Sequence, residues 1–325
     1  MAVVNRAIGD KIATVFGGGG FIGRHLVRRL GKAETVVRVP SRHISKLGAL
    51  RTAGVVGQIV PEMIDIFDDA ELGAAIAGAD TVVNLVGILA ATGKNGFTKV
   101  HEELPGRIAR LSAELGVKRL VHVSALGASA DSGSAYARSK AAGEDAVRVA
   151  FPNATILRPS IVFGPEDRFF NRFAEMSRLS PVLPLIGGGE TRFQPVFVGD
   201  VADAIMAATN RADAPGRTYE LGGPRIYSFR ELMELLLAEI DRKRLLVSIP
   251  WAVAKIQAAL IEWIPSPPLT RDQVELLRQD NILSGSAPGL ADLGVRPTAV
   301  EVMVPTYLER FRPGGRFTRE GRAYR

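Results

Sequence analysis

Ile12-Ala-Thr-Val-Phe-Gly-Gly-Gly-Gly-Phe-Ile-Gly23 decides the fold. An apolar run of strand type enters four consecutive glycines, and apolar residues then recur at 22, 26, 27 and 30, on one face of a helix. The segment reads as a buried strand (Ile12–Phe16), a tight turn and a helix (Phe21–Leu30). Glycines at 17, 20 and 23 keep the spacing G-x-x-G-x-x-G. Gly17 permits the turn out of the strand. Gly20 leaves the backbone open where a Cβ would clash with a diphosphate, and Gly23 lets the helix lie close. A helix start of this kind offers N–H groups and a positive dipole end to phosphates.

Outward from this segment, strands and helices alternate. Strands are expected at Thr35–Val39, Gln58–Asp65, Thr81–Val86, Arg119–Ser124 and from Thr155. Helices are expected at Ser45–Ala53, Asp69–Ala77, Leu104–Leu115 and Ala135–Ala150. Such alternation predicts an α/β fold: a Rossmann-type, doubly wound parallel sheet with right-handed crossovers. From Pro159 to Pro195 glycine and proline accumulate, and helices follow at Val201–Thr209 and Phe229–Glu239. This irregular half reads as remaining core strands plus a small C-terminal cap. The expected division is 1–160 for the nucleotide-binding core, 161–309 for the rest with the cap, and 310–325 for a basic tail, with no clean linker near 160.

Composition narrows the function classes. Of 325 residues 46% are hydrophobic and 23% charged, as in a globular protein rather than a disordered one. The absence of cysteine rules out disulfides, thiolate catalysis and zinc–thiolate sites. The four histidines (25, 43, 101, 122) show no ligand spacing, so no metal is expected. No apolar run is long enough to span a bilayer, and the start lacks the pattern of a signal peptide. Of the formal charge of +7, the tail from Arg310 carries +5: six arginines (310, 312, 316, 319, 322, 325) against Glu320. The near-neutral remainder excludes a basic nucleic-acid-binding face. The tail reads as a solvated end or as an arm for anionic lipid or an acidic partner.

The dinucleotide is chosen by charge. An NAD site places Asp or Glu after the second strand, on the ribose 2′-hydroxyl. Between Glu34 and Glu62 there is no acidic residue, and the strand runs out as Arg38-Val-Pro-Ser41-Arg42-His43. A guanidinium pairs with a 2′-phosphate, so NADP(H) is expected over NAD(H), with Ser41 and Arg42 as the grip and Arg38 read rather as a surface charge. Asp65 is expected either to accept from the adenine amino group or to cap the helix starting near Asp69. Tyr136-Ala-Arg-Ser-Lys140 places a phenol and an ammonium on one helix face. The ammonium lowers the phenol's pKa, and lysine also holds ribose hydroxyls.

These pieces resemble the short-chain dehydrogenase/reductase superfamily, in its extended or atypical branch. The matching motifs are the glycine loop, Asn84-Leu-Val-Gly87, Tyr136-x-x-x-Lys140, Arg158-Pro-Ser-Ile-Val-Phe-Gly-Pro165 and Phe197-Val-Gly-Asp200. The resemblance implies cofactor contacts from Gly17, Gly20, Phe21, Ile22, Gly23, Ser41, Arg42, Asp65, Ile66, Val86, Gly87, Tyr136, Lys140, Pro159 and Ile161. It implies Tyr136, Lys140 and Ser124 as catalytic groups. Lys140-Ala-Ala-Gly-Glu144, Ala150-Phe-Pro, Phe163-Gly-Pro-Glu-Asp167-Arg-Phe-Phe-Asn171, Gln194-Pro-Val-Phe-Val and Pro268-Leu-Thr-Arg-Asp-Gln-Val are similar to a narrower group. That group is the NADPH-binding accessory subunits of respiratory complex I, of the alpha-subcomplex subunit 9 type, with their bacterial relatives. It implies a tightly held NADPH, complex I subunits as partners, and a place on the cytoplasmic side of a bacterial inner membrane or the mitochondrial equivalent. A sister group is linked to ubiquinone biosynthesis. The alternative is therefore an NADP(H)-dependent oxidoreductase acting on a carbonyl or hydroxyl, with ubiquinone biosynthesis as a candidate setting.

Two departures bear on catalysis. The resemblance places Ala125, rather than Ser124, at the superfamily's hydroxyl position, which leaves carbonyl polarisation to Tyr136. His101 stands where such chains commonly carry Asn, and the sequence gives it no role. Finally, Leu245–Ile264 holds both tryptophans, and 253, 256, 260 and 264 form one apolar stripe. The stripe reads as the inward face of a cap helix, the rival being a partner- or membrane-docking surface.

Overall fold

The structure, a computed structural model, describes residues 11–90, 96–262, 264, 267 and 269–315. Residues 316–325 of the basic tail, and Trp263, lie outside these. The strands are β1 (Ile12–Phe16), β2 (Val36–Ser41), β3 (Ile59–Met63), β4 (Thr81–Asn84), β5 (Arg119–Val123), β6 (Thr155–Pro159), β7 (Val162–Phe163), β8 (Val182–Ile186), β9 (Arg192–Phe193), β10 (Val196–Phe197), β11 (Thr218–Leu221), β12 (Tyr227–Ser228) and β13 (Leu245–Ile249). The helices are α1 (Phe21–Lys32), α2 (Asp69–Ile76), α3 (Leu104–Glu114), α4 (Ala135–Ala150), α5 (Phe170–Leu179), α6 (Val198–Asn210), α7 (Phe229–Glu239), α8 (Trp251–Ile261), α9 (Arg271–Leu276) and α10 (Val300–Leu308).

Seven strands form one parallel sheet in the order β11-β6-β5-β4-β1-β2-β3. The order reverses between β1 and β4, the point where doubly wound sheets open a crevice at their carboxyl ends. Near-continuous apolar runs suit strands covered on both faces. Phe16, Val82 and Leu120 of the sheet pack with Leu72 and Ile76 of α2, Leu104 and Ile108 of α3 and Val147 of α4. Each such side chain, withdrawn from water, contributes about 1.5–3 kcal/mol. Local chemistry sets the helix starts: the side chains of Asp68 and Ser134 accept the Glu71 and Ala137 amides, and Ser228–Glu231 and Thr270–Gln273 form capping boxes.

The chain divides into two compact units. The first comprises 1–159, 199–221 and 285–295; the second comprises 160–198, 222–284 and 296–325. The second has its own core, in which Phe163, Phe170, Leu185, Phe229, Leu232, Leu236 and Val304 are buried together.

Two expectations are corrected. Ser45–Ala53 does not form an α-helix; Ile44–Ala53 is 3₁₀. Its bulky apolar residues fall at 44, 47 and 50, a spacing of three that matches three residues per turn, and Leu47 and Leu50 are buried. The stripe on α8 does not face inward. Ala254 and Ala258 are the buried residues, packed with Val274, while Val253, Ile256, Leu260 and Ile264 are exposed. Small alanines let α8 approach α9 closely, and Trp251 sits where a Cβ on Gly187 would come within 2.0 Å of its ring. The helix is thus anchored by its first residue and its alanine face. No helix among the described residues is long and apolar enough to cross a membrane.

Candidate dinucleotide site

The glycine loop leaves β1 at the point of strand reversal. Gly17 has φ +78°, and a Cβ there would meet Leu85 of the chain leaving β4 at 3.0–3.2 Å. A Cβ on Gly23 would lie 2.3 Å from the Gly17 carbonyl oxygen, so Gly23 lets α1 start against the loop itself. Gly20 is exposed at the N-cap of α1. The other two glycines also have steric reasons: Cβ atoms at Gly18 and Gly19 would meet Val39 at 2.8 Å and Leu47 at 2.4 Å. No side chain caps α1, and its first turn holds no acidic residue. Phe21 and Ile22 are half-buried.

At the end of β2, Arg42 is exposed and Ser41 is half-buried, its hydroxyl accepting the His43 amide at 3.2 Å. Arg38 is not the free surface charge expected. Its guanidinium donates to the Ala75 and Ala77 carbonyls at 3.3 and 2.6 Å and lies 3.9 Å from Glu62. It ties the sheet to the end of α2. The capping role expected of Asp65 belongs to Asp68. Asp65 accepts from the Phe67 amide at 2.9 Å, and its own amide donates to Glu71 at 2.6 Å. Its exposed carboxylate organises the turn before α2, and Ile66 beside it is buried.

Tyr136 and Lys140 stand on the first turns of α4. Tyr136 is half-buried, and Lys140 is 5% exposed. The Lys140 ammonium donates to the Val123 carbonyl at 3.3 Å. Burial lowers its pKa to about 8, against the opposing pull of Glu144. Glu144, one turn on, is already held by Arg158 at 2.7 and 2.8 Å and by Arg148 at 2.8 Å. Gly87 passes directly above the lysine: a Cβ there would lie 3.4 Å from Nζ. Val86, whose amide is held by the Asn84 side chain at 3.1 Å, precedes it. The Ser124 hydroxyl is buried with no hydrogen-bond partner. Ala125, partly exposed, follows it. Pro159 closes β6 in the first unit, its carbonyl accepting from Leu126 at 2.9 Å. Ile161 belongs to the second unit, where its amide donates to Asn281 at 3.1 Å.

Sequence reasoning passed over two residues of this region. His101 is buried in a widened π-helical turn (Thr98–Glu103) between Lys140 and the loop after β4. Its pKa is lowered to about 3, first by burial and then by Lys140, so the ring is neutral. Gly143 makes this approach possible, since a Cβ there would lie 1.7 Å from the His101 carbonyl oxygen. The phrase Lys140-Ala-Ala-Gly143 held that signal.

A glycine loop at the strand reversal and a helix carrying half-buried Tyr136 and buried Lys140 are thus the two parts of the candidate site in the first unit. The profile described as "NAD dependent epimerase/dehydratase family" matches residues 13–222. The chain belongs to that family. Over 321 residues this family member is 38% identical to the Arabidopsis thaliana protein "NADH dehydrogenase [ubiquinone] 1 alpha subcomplex subunit 9, mitochondrial", covering 95% of this chain and 80% of the relative. The mouse protein of the same name is 37% identical over 309 residues, covering 94% and 82%. A ceramide reductase from Caulobacter vibrioides is 33% identical over 196 residues, 60% of each chain. In fold, the family member is similar to DesIV, a dTDP-glucose 4,6-dehydratase from Streptomyces venezuelae solved with NAD bound, at TM-score 0.70, 21% identity and coverage of 96% and 98%.

Proposed function

We propose that this chain binds NADP(H) and serves as an accessory subunit of, or assembly partner to, an NADH:ubiquinone oxidoreductase. One observation carries the reading: similarity to the alpha subcomplex subunit 9 relatives runs through 94–95% of the chain, the second unit included. The first unit's residues fit a dinucleotide. The loop is open at Gly20, α1 starts without a side-chain cap, and the buried Lys140 ammonium uses one of its three donors on Val123. Gly17, Gly20, Phe21, Ile22 and Gly23 would hold the diphosphate, and Ser41 and Arg42 the 2′-phosphate. Val86, Gly87, Tyr136 and Lys140 would hold the half that carries the nicotinamide. When bound, the nucleotide supplies hydride chemistry. The chain's own part is to bind it, to hold a proton at the Tyr136 hydroxyl, and to keep a cation at Lys140 Nζ.

Tagging the chain in its native cells tests the partner. Recovery of the membrane NADH dehydrogenase with it supports the reading, and recovery of the chain alone, with normal complex assembly after its deletion, overturns it. An anionic membrane is the second proposed contact, through the arginines of the basic tail beyond Arg312; Phe311 is buried and Arg312 donates to the Glu239 carbonyl at 2.6 Å, while α8 separately exposes Val253, Ile256 and Leu260. Sedimentation with phosphatidylglycerol vesicles that survives removal of 316–325, which spares the buried Phe311, counts against the tail. A second reading, an NADP(H)-dependent oxidoreductase, is favoured by Tyr136 beside a lysine whose pKa lies near 8, a pairing suited to proton transfer. Loss of quinone in a Tyr136→Phe strain with normal complex assembly would support it.

A further inference from the structure

His101 joins three parts of the nucleotide site, and the direction of each hydrogen bond can be worked out. The Ile88 amide donates to its Nε2 at 3.0 Å. A backbone N–H cannot accept, so Nε2 carries no proton. Nδ1 lies 3.0 Å from the Ser139 hydroxyl oxygen. That hydroxyl has one proton, which it donates to the Tyr136 carbonyl at 2.8 Å. The Ser139 oxygen therefore accepts, and Nδ1 donates. The ring is thereby fixed as the Nδ1–H tautomer, with both nitrogens used.

The ring faces are used as well. Phe97 stacks on the imidazole at 5.4 Å and 17°. Tyr136 meets it at 90° with centroids 5.2 Å apart. Phe97 and Tyr136 also meet each other, at 5.9 Å and 78°. A Cβ on Gly87 would lie 3.6 Å from His101 Nε2 and 3.4 Å from Lys140 Nζ, so the imidazole and the ammonium lie under the same stretch of loop.

We propose that His101 is a positioning residue: it clamps the Gly87–Ile88 loop down over Lys140 and fixes the ring of Tyr136, so that the half of the dinucleotide site built from these residues is preformed. The inference rests on the NADP(H) reading above and adds a residue and a tautomer to it. A leucine at this position fills the space but accepts nothing from Ile88. A glutamine carries one acceptor and one donor, as the imidazole does.

Two measurements on the full chain test it. Long-range proton–nitrogen NMR correlation reads the tautomer directly. A pyrrole-type signal at Nδ1 and a pyridine-type signal at Nε2 are expected, and the reverse assignment overturns the clamp. Calorimetric titration then compares NADPH with 2′,5′-ADP, which carries the adenosine end alone. His101→Leu is expected to weaken NADPH at least tenfold and to leave 2′,5′-ADP within twofold. His101→Gln is expected to keep NADPH within threefold of the wild type. A merely structural role would weaken both ligands together. If His101→Leu does not fold, Ser139→Ala, which removes the acceptor for Nδ1–H, is expected to weaken NADPH selectively by about threefold. Wild-type chain that binds no pyridine nucleotide overturns the nucleotide reading itself. Wild-type binding that His101→Leu and Ser139→Ala leave unaltered overturns the clamp alone.

Discussion

Two buried charges, one in each unit, are treated in opposite ways. Asp167 in the second unit is 3% exposed, and both of its oxygens are saturated. Oδ2 accepts from the Gly164 amide at 3.0 Å and the Tyr307 hydroxyl at 2.7 Å, and Oδ1 accepts from the Phe169 and Asn171 amides at 3.0 and 3.1 Å. Lys140 in the first unit is 5% exposed and donates to one carbonyl, at 3.3 Å. A buried charge costs free energy unless its hydrogen-bonding capacity is met. Asp167 meets that requirement within the fold and holds α5 and α10 in place. Lys140 has two further N–H donors that the proposed nucleotide would engage. The contrast supports the proposed binding role of Lys140 on grounds independent of any motif.

The largest expected effect is on Asp167. Asp167→Ala strands three amides and a phenol, each at about 1–3 kcal/mol, so a loss of several kcal/mol is expected in urea unfolding, with unfolding of the second unit. An Asp167→Ala chain of ordinary stability would show that the network is decorative. Lys140→Met should do the reverse. It removes a poorly partnered buried cation, so the melting temperature should hold or rise while NADPH binding falls at least tenfold. A destabilised chain that still binds NADPH would erase the contrast.

The pH dependence sharpens the comparison. The Lys140 pKa is lowered to about 8 in the folded chain, whereas in the unfolded chain it keeps its ordinary, higher value. Between the two, the unfolded state binds more protons, so the nucleotide-free chain should gain stability as pH rises through that window. NADPH affinity should fall over the same window, because the ammonium that would hold ribose oxygens is lost. Lys140→Met should flatten both profiles, and profiles unchanged by that substitution would remove Lys140 as their source. The smallest effect is at the surface. Arg42→Ala should leave the melting temperature and NADH binding unmoved and weaken NADPH about tenfold, a change of about 1.4 kcal/mol. Equal loss for both nucleotides would argue that Arg42 does not discriminate between them.

The sequence makes the first unit easy to read, because its elements follow simple periods. Ile12–Phe16 and Ala135–Ala150 are found at their expected bounds, since an uninterrupted apolar strand and a Ser134-capped helix leave little freedom. Ser45–Ala53 reads as helical, but its bulky residues at 44, 47 and 50 recur every three, which suits the 3₁₀ form it takes. The α8 stripe misled because bulk was taken for burial, whereas the face that packs is made of alanine. Arg38 misled because a carbonyl pair at the end of a distant helix is not visible in a local window. His101 is given no role by the sequence for a related reason: its meaning comes from Ile88, Ser139 and Gly143, which only the fold assembles around it. Local chemistry was legible; roles set by contacts across many residues were not.

The most direct measurement is calorimetric titration of the full chain with NADPH and, separately, with NADH. A single site that takes NADPH at least tenfold more tightly than NADH is the result expected from the open glycine loop, the acid-free end of β2 and the under-partnered lysine. A chain that takes up neither nucleotide, or takes both equally, would contradict that account.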